Sequence, residues 1–170
     1  KEYQAFQEYA AMNDKHEYLW KSKGGTRDEQ LVRDMAVFSA FGEGLQLFAS
    51  FVMLLNFQRH GKMKGMGQIV AWSIRDESHH VESMIKLFHC LLDEKPHVWN
   101  DNFKKSLYDI CRDMVTLEDR FIDLAFELGP VEGLEPHEVK QYIRHIADRR
   151  LLQLGLKPNY GVKDNPLEWV

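Results

Sequence analysis

The stretch DNFKKSLYDICRDMVTLEDRFIDLAFEL, residues 101–128, decides the fold class because its apolar side chains recur at helical spacing. Alternating steps of four and three residues place on one stripe Phe103, Leu107, Ile110, Met114, Leu117, Phe121, Leu124 and Leu128. The pair Gly129-Pro130 then stops the pattern. Helical periodicity also dominates the rest of the chain, and no segment alternates as a strand would, so an all-α fold is predicted.

Further helices are expected before and after this stretch. One should begin near Thr26, a capping residue followed by acidic residues in the first turn, and end near residue 57 or 59. The other predicted helices cover residues 3–21, 66–92 and 135–154. Residues 156–170 contain three turn-forming residues, Pro158, Gly161 and Pro166, and should form an extended surface tail. The expected organisation is one helical domain over residues 1–155, followed by this tail.

Composition limits the classes of function. At 170 residues, 44% hydrophobic and 28% charged, the chain suits a single globular domain, and its net charge of −4 lacks a basic tract that would bind nucleic acid. The most apolar stretch, residues 45–57, contains Gln46 and Asn56, so it is interpreted as a buried helix, and no membrane partner is expected. Cys90 and Cys111 show no CxxC spacing, which favours a reducing, cytoplasmic location.

Glu43, Glu77 and His80 form the pattern most suggestive of chemistry. Glu43 lies in a strongly apolar helix, between Phe41 and Leu45, where a carboxylate is costly to bury unless it is paired, protonated or bound to a metal. Glu77 and His80 are three residues apart, so their side chains share one helix face, as in the dimetal carboxylate sites of helical bundles. The same spacing also arises by chance in many helices, so by itself it does not establish a metal site.

The connection between the two helices brings Glu43 and Glu77 to the same level. If the turn centres near Lys62, Glu43 lies about 19 residues before it and Glu77 about 15 after it. These separations correspond to roughly 28 and 22 Å of helix at 1.5 Å per residue. The two glutamates and His80 are therefore predicted to share a site. Asp76, beside them, either hydrogen-bonds a metal ligand or is a solvated helix acid.

Four segments closely resemble the class I ribonucleotide reductase small subunit: residues 41–44 (FGEG), 72–80 (WSIRDESHH), 142–150 (YIRHIADRR) and 165–169 (NPLEW). They occur in that family's order and spacing, and the resemblance covers nearly the whole chain. It implies a ferritin-like helical bundle, of which this chain is the second half. It also implies a dinuclear site of iron, manganese or both, which uses oxygen to generate an oxidising equivalent, commonly a tyrosyl radical. The large subunit then uses this equivalent to reduce ribonucleotides.

The resemblance can be carried over residue by residue. The three residues that match metal ligands are Glu43, Glu77 and His80. Asp76 matches an acid in the hydrogen-bonded network that connects the metal site to radical transfer. Leu47 and Phe51 match positions that line an apolar pocket near the radical tyrosine, and Ser73 stands where that pocket is often aliphatic.

The family's first half contributes an aspartate, another Glu-x-x-His pair and usually the radical tyrosine, and none of these can be placed in this sequence. The chain by itself is thus expected to be inactive, either as a fragment or as one piece of a naturally split subunit that needs a partner chain. The assembled protein is expected to be a ribonucleoside-diphosphate reductase small subunit, homodimeric and paired with the large subunit. Two alternatives stay open: another ferritin-like dimetal oxidase or desaturase, and a non-catalytic helical binding module.

Overall fold

Six α-helices hold most of the part of the chain that the computed structural model describes, residues 10–21, 24–127 and 129–170. They are α1 (Ala10–Trp20), α2 (Arg27–Ala36), α3 (Phe48–Arg59), α4 (Lys64–Glu94), α5 (Asp101–Glu127) and α6 (Pro136–Gln153). A π-helical segment, Val37–Glu43, joins α2 to α3, and a 3-10 turn, Pro96–Val98, joins α4 to α5. Within these ranges the β-structure is one isolated bridge, Val131 to Leu134, so the all-α prediction is confirmed.

Local capping explains where two of these helices begin. The Thr26 hydroxyl accepts a hydrogen bond from the Glu29 N–H, and the Glu29 carboxylate accepts one at 2.8 Å from the Thr26 N–H. This reciprocal pair satisfies two otherwise unpaired donors and stabilises the start of α2 by about 1 kcal/mol. Glu135 and Glu138 make the same arrangement at the start of α6. The sequence prediction of a helix start at Thr26 is therefore confirmed.

The predicted single helix over residues 26–59 is wrong in one respect. Its chain path is helical, but the π-helical segment widens it before Glu43, and a turn at residues 46–47 separates it from α3. The Gln46 N–H donates to the Phe41 carbonyl, five residues back, at 3.1 Å, and also to the Gly42 carbonyl at 3.2 Å. Such wide turns occur mostly inside α-helices at functional sites, and apolar periodicity does not reveal them.

The core lies between the stripe of α5 and the helices that cover it. α5 packs against α1 and α6, and α4 packs against α2 and α3. The largest side chains that are fully buried include Phe41, Phe88, Phe103, Leu107, Met114, Ile122, Ile143 and Leu151. Burial of each of these side chains stabilises the fold by about 1.5–3 kcal/mol, because it removes apolar surface from water. The packing of this core is therefore the main source of stability of the bundle.

The tail, residues 156–170, follows α6 without regular secondary structure. Leu156 and Leu167 are buried against the core, so the tail is packed on the bundle. Part of the predicted N-terminal helix, residues 3–9, lies outside the described residues; the described part is α1.

The helical stretch Arg27–Arg59 is the one part of the described chain that could cross a membrane by length and composition alone. A buried core helix passes the same test, and 56% of the apolar window lies inside the bundle. The contacts of this stretch with α4 and α6 agree with its interpretation as a buried helix.

Candidate metal site

The structure brings Glu43, Glu77 and His80 together. One ligand atom from each of the three side chains can be chosen so that all lie within 4.8 Å of one another. His80 Nδ1 is 2.9 Å from Glu43 Oε2. Two carboxylates and one imidazole at this separation form a donor set of the kind that binds iron, manganese or zinc.

Two elements position these side chains. Glu43 is the last residue of the π-helical segment, and Glu77 and His80 lie in the middle of α4, one turn apart. The chain reverses between α3 and α4 at residues 60–63, where Gly61 and Met63 adopt left-handed backbone conformations with φ of 74° and 48°. This short reversal places the two helices side by side, so the predicted common level of Glu43 and Glu77 is what the fold shows.

The electrostatics of Glu43 fit a carboxylate held at the edge of the core. Burial raises its pKa, and the nearby Glu77 carboxylate raises it further, while His80 acts in the opposite direction. The Glu43 side chain is nevertheless 34% exposed, which corrects the expectation of a buried carboxylate. The helix around Glu43 is apolar, but the site faces an open cleft on one side.

Glu77 supplies the observation that bears most directly on a metal. Its Oε2 atom is shielded from solvent and has no hydrogen-bond partner among the described residues. A buried carboxylate oxygen without a donor is costly, and a cation at the centre of the cluster would compensate it. The three residues therefore fit a metal ion in chemistry as well as in spacing.

The other predicted site residues lie near the cluster but outside it. Asp76 is 73% exposed at its side chain, and its Oδ1 is 3.6 Å from Arg75 Nε. Leu47 lines the cleft beside Glu43, whereas Phe51 is not among the residues that line it and stacks edge-on against Phe48 at 5.8 Å. The Ser73 hydroxyl donates to the Ile69 carbonyl of its own helix at 3.1 Å. The roles of these residues stay predictions.

The cleft beside Glu43 has a volume of about 390 Å³ and a mostly apolar lining. Its lining combines Gly42, Glu43 and Leu47 with side chains of α1 and with Phe121 of α5. Glu43 is part of this lining, so a further helix packed in the cleft would bring its own side chains close to Glu43.

Sequence reasoning missed an ion pair between Lys15, which lines this cleft, and Glu118. Lys15 Nζ lies 3.0 Å from Glu118 Oε1, and the Glu118 side chain is completely buried. Burial raises the pKa of Glu118 to about 7, with Lys15 opposing the shift. The sequence does indicate that Glu118 is buried. It is four residues from both Met114 and Ile122, so it lies on the apolar face of α5.

Comparison with known proteins identifies the family of this chain. The family model described as "Ribonucleotide reductase, small chain" matches residues 1–166. The chain belongs to this family. The probable ribonucleoside-diphosphate reductase small subunit of Invertebrate iridescent virus 3 is 46% identical over 185 aligned positions, which cover 99% of this chain and 49% of that protein. The ribonucleoside-diphosphate reductase subunit beta of Chlamydia pneumoniae is 33% identical, over 83% of this chain and 40% of that protein.

Solved structures of the family confirm the fold. A putative class I ribonucleotide reductase from Bacillus halodurans superimposes with a TM-score of 0.88 at 22% identity, over 98% of this chain and 60% of that chain. The R2 subunit of Clostridium botulinum gives a TM-score of 0.85 at 21% identity, over 98% of this chain and 54% of that chain. The ferritin-like helical bundle predicted from the sequence is thus confirmed. The chain spans about half the length of the curated relatives it matches.

Proposed function

We propose that this chain supplies half of the dimetal-carboxylate site of a ribonucleoside-diphosphate reductase small subunit. The observation that carries the proposal is the cluster of Glu43, Glu77 and His80, with the Glu77 oxygen shielded and unpaired. Family membership favours this function over that of another dimetal oxidase or desaturase. A second half of the bundle would provide the remaining ligands.

The three residues would hold the metal through two carboxylates and one imidazole. His80 Nδ1 lies 2.9 Å from Glu43 Oε2, so both atoms are close enough to bind one cation. Oxygen donors with one imidazole suit iron and manganese, so we propose a dinuclear site of either metal or both. When bound, such a metal pair supplies the one-electron oxidising chemistry that the reductase needs.

The surface around the site supports assembly with another polypeptide segment. Ile69 and Trp72 on α4 are 60% and 53% exposed, and they lie two turns and one turn, respectively, before Asp76. Because the two residues are three positions apart, they share one helix face, and exposed apolar patches often mark contact with another polypeptide. We propose that the complementary half of the bundle covers this face and the cleft beside Glu43. It would also enclose Asp76, which in the assembled subunit would take part in radical transfer.

The complete protein would act as a homodimer together with the reductase large subunit, in the cytoplasm. Cys90 and Cys111 are both free thiols, which agrees with a reducing compartment. The products of the assembled enzyme would be deoxyribonucleotides.

The test compares this chain alone with the chain mixed with the segment of the iridescent virus relative that it does not match. Both samples are loaded with Fe²⁺ or Mn²⁺ without oxygen and then exposed to oxygen. Metal content and electron paramagnetic resonance are measured. We expect two metal ions per site and a radical or high-valent signal only in the mixture, and Glu43→Ala should abolish both. If neither sample binds metal, the chain is a helical binding module with an inert site.

A further inference from the structure

Two cationic side chains from distant parts of the chain hold the backbone just after Glu43. Lys15 on α1 donates from Nζ to the Gln46 carbonyl at 2.8 Å. Arg150 on α6 donates from Nε to the Gly44 carbonyl, also at 2.8 Å. Both carbonyls lie between the π-helical segment and α3, where the regular helical pattern is interrupted. Carbonyls at such an interruption need other donors, and cations suit the negative end of a helix.

Lys15 is itself held firmly. Its Nζ is 3.0 Å from the buried Glu118 Oε1 and lies over the Phe121 ring, 4.6 Å from the centroid. The Gln46 side chain adds a second connection, because its Nε2 donates to the Met114 carbonyl at 3.0 Å. Gln46 is therefore fixed to α1 through its backbone and to α5 through its side chain.

Arg150 approaches the backbone so closely that any side chain at residue 44 would displace the guanidinium. A Cβ at Gly44 would lie 2.7 Å from Arg150 Nε and 3.0 Å from the Ser39 carbonyl oxygen. The guanidinium also donates to Gln153 Oε1 at 2.8 Å and lies 5.5 Å from the centroid of the Phe48 ring. Burial lowers the pKa of Arg150 to about 10, which leaves it charged at neutral pH.

These contacts have a consequence for Glu43, which directly precedes Gly44. The regular helical hydrogen-bond pattern is interrupted just after the π-helical segment, so the direction of its last side chain depends on contacts from outside the helix. We infer that Lys15 and Arg150 are positioning residues for Glu43, which hold the carbonyls of Gly44 and Gln46 and so aim the carboxylate at Glu77 and His80. This inference rests on the proposed function, because it assigns the Glu43 carboxylate to a metal.

The main test is the double variant Lys15→Met with Glu118→Gln. Lys15→Met alone would leave the Glu118 carboxylate buried and unpaired, and the chain could then fail to fold for that reason. Glu118→Gln removes this charge and keeps the shape of the side chain. The matched control is Lys140→Met, which breaks the 2.7 Å ion pair with Asp123 on the surface between α5 and α6.

Amide hydrogen exchange of the metal-free chain is the first measurement. In the double variant, exchange of the amides at residues 43–48 should be on the order of ten-fold faster, because a charge-assisted hydrogen bond has been lost. Exchange in α6 should not change. The Lys140→Met control should leave residues 43–48 as in the wild type.

Mn²⁺ affinity of the chain mixed with its complementary half is the second measurement. Loss of a group that orients a metal ligand typically weakens metal binding by about 10–100-fold, and we expect this range for the double variant. Arg150→Gln should weaken Mn²⁺ binding similarly. The control Arg144→Met lies on the same helix as Arg150 and breaks a 2.7 Å ion pair with Asp119 of α5, and it should leave Mn²⁺ binding unchanged.

The outcomes separate this inference from the proposed function. If the folded double variant has wild-type exchange at residues 43–48 and wild-type Mn²⁺ affinity, the positioning role is wrong and the proposed function stands. If the wild-type mixture binds no Mn²⁺, the proposed function fails and the positioning role fails with it. Faster exchange at residues 43–48 with unchanged Mn²⁺ affinity would reduce the two cations to structural supports and also overturn the inference.

Discussion

Asp148 and Glu77 are both acidic residues of the same helical bundle, but the described residues satisfy only one of them. Asp148 is 3% exposed, and its Oδ1 accepts hydrogen bonds from the N–H groups of Asn159 and Tyr160 at 2.7 and 2.9 Å. Its Oδ2 accepts another from the Val162 N–H at 3.0 Å. Glu77 Oε2 is also shielded from solvent, and no donor among the described residues reaches it. The described residues thus supply every donor to the carboxylate that anchors the tail, whereas they leave one oxygen of the Glu77 carboxylate without a donor.

Asp148→Ala should have the largest effect on this comparison. It removes the acceptor of three backbone N–H groups in a nearly dry environment, so the free energy of unfolding should fall by on the order of 3–5 kcal/mol. Guanidinium unfolding followed by helical circular dichroism measures the loss, and limited proteolysis should cut within residues 156–170. The control Asp164→Ala changes an exposed tail acid and should cost less than about 0.5 kcal/mol. A loss below about 1 kcal/mol for Asp148→Ala would mean that other contacts anchor the tail.

Glu77→Gln tests the second carboxylate of the comparison by measuring how much a bound metal stabilises the protein against unfolding. At a free Mn²⁺ concentration one hundred times its dissociation constant, the wild-type protein should gain about 2.7 kcal/mol against unfolding. Glu77→Gln should abolish this gain, because an amide is a poor replacement for a carboxylate ligand. Asp76→Asn is the matched control on the adjacent residue and should keep the gain. Equal losses in both variants would indicate a general effect of negative charge.

Glu118→Gln probes a third carboxylate, buried like Asp148 but paired with a lysine. The folded chain holds the Glu118 proton up to a pKa of about 7, whereas the unfolded chain releases it near the ordinary 4.5. The folded state binds more protons between these values, so the stability of the wild type should decrease as pH rises from about 4.5 to about 7.

In Glu118→Gln this part of the pH dependence should disappear, a difference on the order of 2 kcal/mol between the two ends of the window. Urea unfolding at pH 5, 6 and 7 measures it in both proteins. Parallel pH curves for the wild type and the variant would show that Glu118 ionises in the folded chain as it does in water.

The fold was largely predictable because its signals are local. The apolar stripe of α5 and the capping pair at Thr26 depend on residues a few positions apart. The capping pair is confirmed, and so is the burial of the stripe from Phe103 to Leu117, whereas the last residue of the stripe, Leu128, lies outside the described residues. The meeting of Glu43 with Glu77 also follows from sequence, since it needs only helical rise and the position of one turn.

The remaining features depend on contacts between distant residues, which no periodicity contains. The π-helical segment results from how residues 37–46 pack and hydrogen-bond, and Lys15 reaches Glu118 across 103 positions of sequence. The exposure of Glu43 is likewise set by the cleft between helices. Propensity could indicate that Glu43 was unusual, but it could not show which side chains surround it.

Substitutions at two glycines should change stability least. They compare a backbone position in contact with another helix, Gly44, with one that has open space around it, Gly65. At Gly44 an added Cβ would meet Arg150 Nε at 2.7 Å, while at Gly65 nothing lies within 4 Å. Gly44→Ala should therefore lower the free energy of unfolding by about 1–2 kcal/mol, because the guanidinium must shift within a packed core. Gly65→Ala should instead raise it by about 0.5 kcal/mol, since alanine restricts the unfolded chain and favours the helix. Thermal unfolding of both variants measures these changes in the free energy of unfolding. If Gly44→Ala leaves the stability unchanged, Arg150 moves away from the Gly44 carbonyl at little cost.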